Sequence, residues 1–172
     1  MGKNDIKEGD KAPLFNIESY NAGNIDLGNL IGERKIVLIF SRYFGCPICQ
    51  LDLKTLLERK GEIEETGAKI LYITQSGENI AKEYIEKENI DFPVIPSSKD
   101  ELYAEYGLGL MTAEAVNQIP IKIKEIRKYG FEHGEYEGWE KQGPGQFVID
   151  EQGNIIHVLK GWLDVDSLLT VL

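Results

Sequence analysis

The chain of 172 residues holds two cysteines, Cys46 and Cys49, with Pro47 and Ile48 between them. Thiols at this spacing either cycle between dithiol and disulfide or grip a soft metal. Pro47 suits the first position of a helix, where no N–H is needed and its fixed φ is already helical. Cys46 then becomes the N-cap. The N–H groups of the following residues, together with the helix dipole, favour its thiolate over its thiol. The thiolate is the nucleophile, so Cys46 is the expected attacker. Cys49 lies one helical turn on, within reach to resolve a mixed disulfide.

That geometry needs a strand to deliver the chain and a helix to leave it. Residues 35–40, KIVLIF, are a short apolar run rich in β-branched residues, as in a strand buried on both faces. After the motif, Leu53, Leu56, Leu57 and Ile63 recur at helical spacing, and Gly67 stops the helix. Residues 68–74 predict a second buried strand, and residues 77–89 an amphipathic helix. This β-α-β-α order predicts an α/β domain with a largely parallel core. A short strand over 92–95 and a short helix over 100–106 follow. Residues 146–150 and 155–159 flank the turn Glu151-Gln152-Gly153-Asn154 and predict an antiparallel hairpin. A last helix is expected over 162–172, and a preceding hairpin over 13–30 around an Asn-Ala-Gly-Asn turn. Residues 109–139 break the alternation with a helical tract (111–126) and a Gly- and Glu-rich loop. This insertion either lies against the site side of the sheet or is a surface excursion. The whole of 1–172 is expected to form one domain, as its length suggests.

Several neighbours have candidate supporting roles. Arg42, four residues before Cys46, either adds positive charge beside the thiolate or is a solvated loop arginine. Tyr43 and Phe44 are expected to shape an apolar rim for a partner. Pro144, between Gly143 and Gly145 and just before a buried strand, is a candidate cis proline that sets a backbone edge against the sulfurs.

Composition narrows the partners. A net charge of −10 argues against nucleic acid and anionic membranes, which reward clustered Lys and Arg. No segment approaches the apolar length of a membrane span. The charged start, MGKNDIKEGDK, has no apolar signal-peptide run, so the cytoplasm is the expected address.

With those residues in place, the chain resembles the AhpC/TSA (peroxiredoxin-like) family of the thioredoxin-like superfamily. The resemblance rests on GDKAPLFNI from Gly9, on KIVLIFSRYFGCPIC, on DFPVIPSSKDELYAEYGL and on GPGQFVIDEQGNI. It implies a thioredoxin-like fold: a central mixed sheet flanked by helices, with an N-terminal β extension and a helical insertion near 109–139. It also implies reduction of a hydroperoxide or protein disulfide, a thiol reductant such as a thioredoxin system, no cofactor, and homodimers in many relatives. The chain departs from the family in two places. Counted from Phe40, Cys49 takes the peroxidatic position and Cys46 that of a threonine, while the family's thiolate-stabilising arginine falls near Pro144. Family logic would therefore have Cys49 attack, whereas helix-terminus geometry favours Cys46. KIVLIF also carries no carboxylate, so no proton acceptor for the pair is visible.

Three readings follow. The first is a thiol-disulfide oxidoreductase acting through the CPIC pair. The second is a copper or zinc module that adds His133 or His157 to the two thiols, although both histidines read more simply as ordinary loop and sheet residues. A four-cysteine iron–sulfur site is excluded within one chain. The third is a fold used only for protein contacts, with an inert Cys46.

Overall fold

The computed structural model describes residues 5–172. The first four residues of the charged N-terminal segment lie outside them. Five strands form the main sheet: β3 (Ile36–Phe40), β4 (Lys69–Thr74), β5 (Val94–Pro96), β6 (Gly145–Ile149) and β7 (Ile155–Leu159). Their order is β5-β4-β3-β6-β7. β3 runs parallel to β4, and β4 to β5, while β6 lies antiparallel to both β3 and β7. The sheet is mixed, as the resemblance implies. β3 is its central strand and is buried along its whole length, which explains why its sequence does not alternate with polar residues.

The pleat divides β3 between two cores. Ile36, Leu38 and Phe40 face one, with Leu71, Ile73, Phe147 and Ile149 of neighbouring strands. Tyr103 and Tyr106, from α4 (Leu102–Glu105) and its end, close this layer and meet the Phe40 ring at centroid distances of 5.2 Å each. Val37 and Ile39 face the other core, which is covered by α2 (Pro47–Glu64), α3 (Glu78–Lys87) and α6 (Val165–Leu169). The early hairpin is present as β1 (Asn16–Glu18) and β2 (Asn24–Asp26), followed by the single turn α1 (Leu27–Leu30). The Asp150 carboxylate accepts from the N–H groups of Gln152 and Asn154 and shapes the β6–β7 turn, with Gly153 at φ +84°.

Two elements differ from expectation. The last helix is shorter than 162–172. Asp164 caps it at Ser167 N, and residues 161–163 turn back so that Trp162 Nε1 donates to the Ala115 carbonyl at 2.9 Å. The peptide before Pro144 is trans, since no cis peptide bond occurs among the described residues. Gly143 donates to Gly109 O, and a Cβ on it would lie 3.1 Å from Met111 Cα.

The insertion folds as α5 (Ala113–Tyr129), which ends in a left-handed cap at Gly130. α5 packs against α2, and residues 131–141 then cross in front of the motif. The carboxyl ends of β3 and β4, where open α/β sheets place their sites, are therefore covered by a strap of chain.

Candidate active site

Cys46 is the N-cap of α2, and its Sγ accepts from Cys49 N at 3.4 Å. Pro47 stands at the helix start as expected. Neither cysteine is disulfide-bonded, and the two approach within about 3.0 Å. Both are 3% exposed.

The two thiols sit in different electrostatic settings. The Cys46 thiol is lowered to about 7, chiefly because the Cys49 thiol donates to it; burial opposes this, and the Arg42 charge and backbone N–H groups assist. The Cys49 thiol is pushed up by burial and by the same hydrogen bond seen from the donor side. The arrangement therefore stabilises one thiolate and keeps the second thiol protonated.

Arg42 is buried rather than solvated, and its Nη1 lies 3.3 Å from Cys46 Sγ. Its Nη2 donates to the Glu140 carbonyl at 2.5 Å and meets Glu140 Oε1 at 3.2 Å. Tyr43 and Phe44 do not form an open rim, because both are buried. Phe44 turns away to stack on Tyr84 at 4.9 Å. The Tyr43 hydroxyl donates to the Glu140 carboxylate at 2.9 Å and lies 3.2 Å from His133 Nε2. Pro144 stands beside Cys49, and the two help line a cavity of about 20 Å³. An open groove of about 590 Å³ lies to the side and shares Trp162 and Leu163 with that cavity.

The strap is fastened at several points. Gly134 N donates to Gly45 O at 2.8 Å, and Gln50 Nε2 donates to Glu132 O at 3.0 Å. Gly77 N donates to Glu137 Oε1 at 2.8 Å. His133 stacks on Tyr136 at 4.0 Å. His157 is elsewhere, 3.0 Å from Gln146 Nε2, with its pKa lowered by burial. Among the described residues, no three His, Cys, Asp or Glu side chains cluster so that they could hold a metal ion.

Sequence reasoning missed Glu140, Asp52 and Lys122. Glu140 stands 98 positions from Arg42, and no local pattern marks that pairing. Asp52 had a local signal, because it lies on α2 one turn beyond Cys49.

An expected result follows from the Arg42 contact. Arg42→Met should raise the Cys46 thiol, because the positive charge beside its thiolate is lost, and slow its alkylation several-fold at neutral pH. Alkylation rate against pH measures this, and an unchanged profile would remove Arg42 from the account.

Known proteins match this description. Residues 8–158 match the AhpC/TSA family. Peroxiredoxin Bcp of Escherichia coli is 22% identical over 105 residues, covering 61% of this chain and 67% of its own. Peroxidoxin BcpB from Mycobacterium tuberculosis superposes with a TM-score of 0.71 at 16% identity, covering 96% of this chain and 95% of that one. A thiol:disulfide interchange protein of the thioredoxin family from Chlorobium tepidum superposes at 0.58 with 19% identity, covering 98% of both chains. With a match that takes in the sheet, the CPIC helix and the insertion, the chain belongs to the AhpC/TSA family and is a thioredoxin-fold enzyme of the peroxiredoxin and thiol oxidoreductase class.

Proposed function

We propose that the protein, acting as a single 172-residue unit, reduces a small hydroperoxide through Cys46 as nucleophile and Cys49 as resolving thiol. The observation that carries this reading is the Cys46 sulfur itself. It caps α2, lies 3.3 Å from the Arg42 guanidinium and is lowered to about 7. In the first step the thiolate attacks the terminal peroxide oxygen and the O–O bond breaks. The alkoxide leaves and takes up a proton, and Cys46 becomes a sulfenic acid. Arg42 Nε is buried with no partner among the described residues. The Arg42 guanidinium, 3.3 Å from the reacting sulfur, supplies positive charge beside the developing alkoxide. In the second step Cys49 attacks the Cys46 sulfur, water leaves and the disulfide forms. An external dithiol of the thioredoxin type then returns both thiols by exchange. Two cysteines spaced as a redox pair, with none placed to staple distant segments, fit a reducing compartment, and we assign the protein to the cytoplasm.

A protein disulfide is the second candidate substrate, favoured by the CPIC motif at a helix start. The burial of both sulfurs under the strap supports the smaller substrate, because a folded partner has to displace residues 131–141 first. A metal-carrier reading has only the two thiols to stand on.

A peroxide assay and an insulin-disulfide assay on one preparation discriminate among these. The expected result is peroxide turnover exceeding disulfide reduction. Disulfide reduction alone would reverse the order of substrates, and activity in neither assay would end the enzymatic mechanism proposed for this pair.

A further inference from the structure

Asp52 plays no part in the chemistry described so far, yet it is held where the second step needs a group. Its Oδ1 accepts from Lys122 Nζ of α5 at 2.7 Å, and its Oδ2 accepts from Leu163 N at 3.1 Å. The two side chains are 15% and 19% exposed. A carboxylate so far removed from water is costly unless paired, and the insertion helix supplies the pair. Asp52 and Cys49 share the walls of the 20 Å³ cavity with Tyr72, Pro144 and Trp162. That volume admits one water.

Resolution requires Cys49 to lose a proton that its surroundings hold in place. A proton acceptor has to lie within hydrogen-bond reach, directly or through one water. The groups around the cavity offer few choices. Tyr72 from β4 is pushed well up by burial, so its phenol stays protonated and is no acceptor. Lys122 and Arg42 are cations. Cys46 is already oxidised at this stage. Asp52 is the remaining base, and burial raises its carboxyl against the opposing pull of Lys122, which makes it a stronger acceptor than an exposed carboxylate.

We propose that Asp52, positioned by Lys122, accepts the Cys49 proton through a water in this cavity while Cys49 closes the disulfide. The proposal rests on the reading that Cys49 is the resolving thiol. The balance is complete without another reactant. The Cys49 proton passes to the Asp52 carboxylate, and the Cys49 thiolate attacks Sγ of the Cys46 sulfenic acid. The S–S bond forms as the S–O bond breaks, and hydroxide leaves as water with the proton from Asp52. With a mixed disulfide, the departing thiolate takes that proton instead.

The test is a rapid-quench single turnover on the full chain with hydrogen peroxide, repeated with glutathione disulfide. Mass spectrometry of alkylated protein follows attack on Cys46 and closure of the disulfide separately. Asp52→Asn should leave the attack step unchanged at pH 7 and slow closure by about 10²-fold or more. Its closure rate should recover as pH rises through the titration of Cys49 itself. Asp52→Glu should restore part of the rate, which a merely structural loss would not predict. Lys122→Met should move the pH profile of closure upward, because the cation no longer holds the carboxyl down. Wild-type closure rates and profiles in these variants would overturn the proposal while leaving the two-cysteine mechanism intact. If the wild type forms no Cys46–Cys49 disulfide with either oxidant, the underlying reading and this proposal fall together. Should Asp52→Asn not fold, the Asp52→Glu and Lys122→Met profiles decide.

Discussion

Cys46→Ser is expected to abolish turnover of both peroxide and disulfide, with a loss on the order of 10³-fold or more. The serine hydroxyl can still cap α2 by accepting from the residue 49 N–H, so the fold should survive the change. It does not ionise near neutral pH, however, and the Arg42 charge and the helix start then act on a group that is not a nucleophile. Cys49→Ser should behave differently. One equivalent of peroxide should be consumed, a sulfenic acid should be trapped on Cys46 by dimedone, and turnover should stop for lack of a resolving thiol. Stopped-flow peroxide consumption and mass spectrometry of the trapped protein distinguish the two variants. Retained turnover in Cys46→Ser would transfer the nucleophilic role to Cys49.

The second large effect is expected at Gly45. A Cβ added there would lie 2.5 Å from the Glu135 carbonyl oxygen and 2.9 Å from the Gly134 carbonyl carbon. These are backbone atoms of the strap, and they cannot rotate aside as a side chain would. Gly45→Ala therefore has to lift the strap or shift the turn that presents Cys46. Forced overpacking of this kind costs about 1–3 kcal/mol. If that cost falls on the closed strap, the open population rises by roughly 5–150-fold, since each 1.4 kcal/mol is a factor of ten in an equilibrium. Alkylation of Cys46 by a bulky maleimide should accelerate by about that factor, and urea unfolding should show lower stability. Gly134→Ala is the milder counterpart, because its Cβ would come no nearer than 3.0 Å, to Gly45 Cα, with its next contacts at 3.8 and 3.9 Å. A bulky reagent that labels Gly45→Ala no faster than wild type would mean that residues 131–141 do not gate the thiol.

The parts of this site written in neighbouring residues were legible in advance. The β-branched run of β3, Pro47 at the helix start and the Cys46–Cys49 spacing all act within one strand and one turn. The placement of the motif followed from them. What could not be read depends on segments far apart in the chain. Arg42 is poised between Cys46 and Glu140, and only the path of the strap decides that it is buried rather than solvated. Phe44 was expected beside Tyr43 at an apolar rim, yet it stacks on Tyr84 and Tyr72 in the α3 core. Adjacent residues in a turn need not share a face. Pro144 lines a cavity together with Cys49, and the peptide before it is trans where the Gly-Pro-Gly context suggests cis. The absence of a carboxylate in KIVLIF suggested that the pair had no proton acceptor. The acidic group near the pair comes from the helix instead, and its counter-ion from an insertion whose docking no periodicity specifies.

The central claim is that Cys46 carries the stabilised thiolate and Cys49 does not. A pH titration of thiol alkylation on Cys49→Ser and Cys46→Ser tests it directly. In Cys49→Ser the serine hydroxyl can still donate to Cys46, so its reactivity should rise through a pKa near the value of about 7 found for the paired thiol. In Cys46→Ser the remaining Cys49 should stay unreactive until well into the alkaline range, held protonated by its burial. The opposite pattern, a low-pKa thiolate on Cys49 and an ordinary thiol on Cys46, would contradict the account.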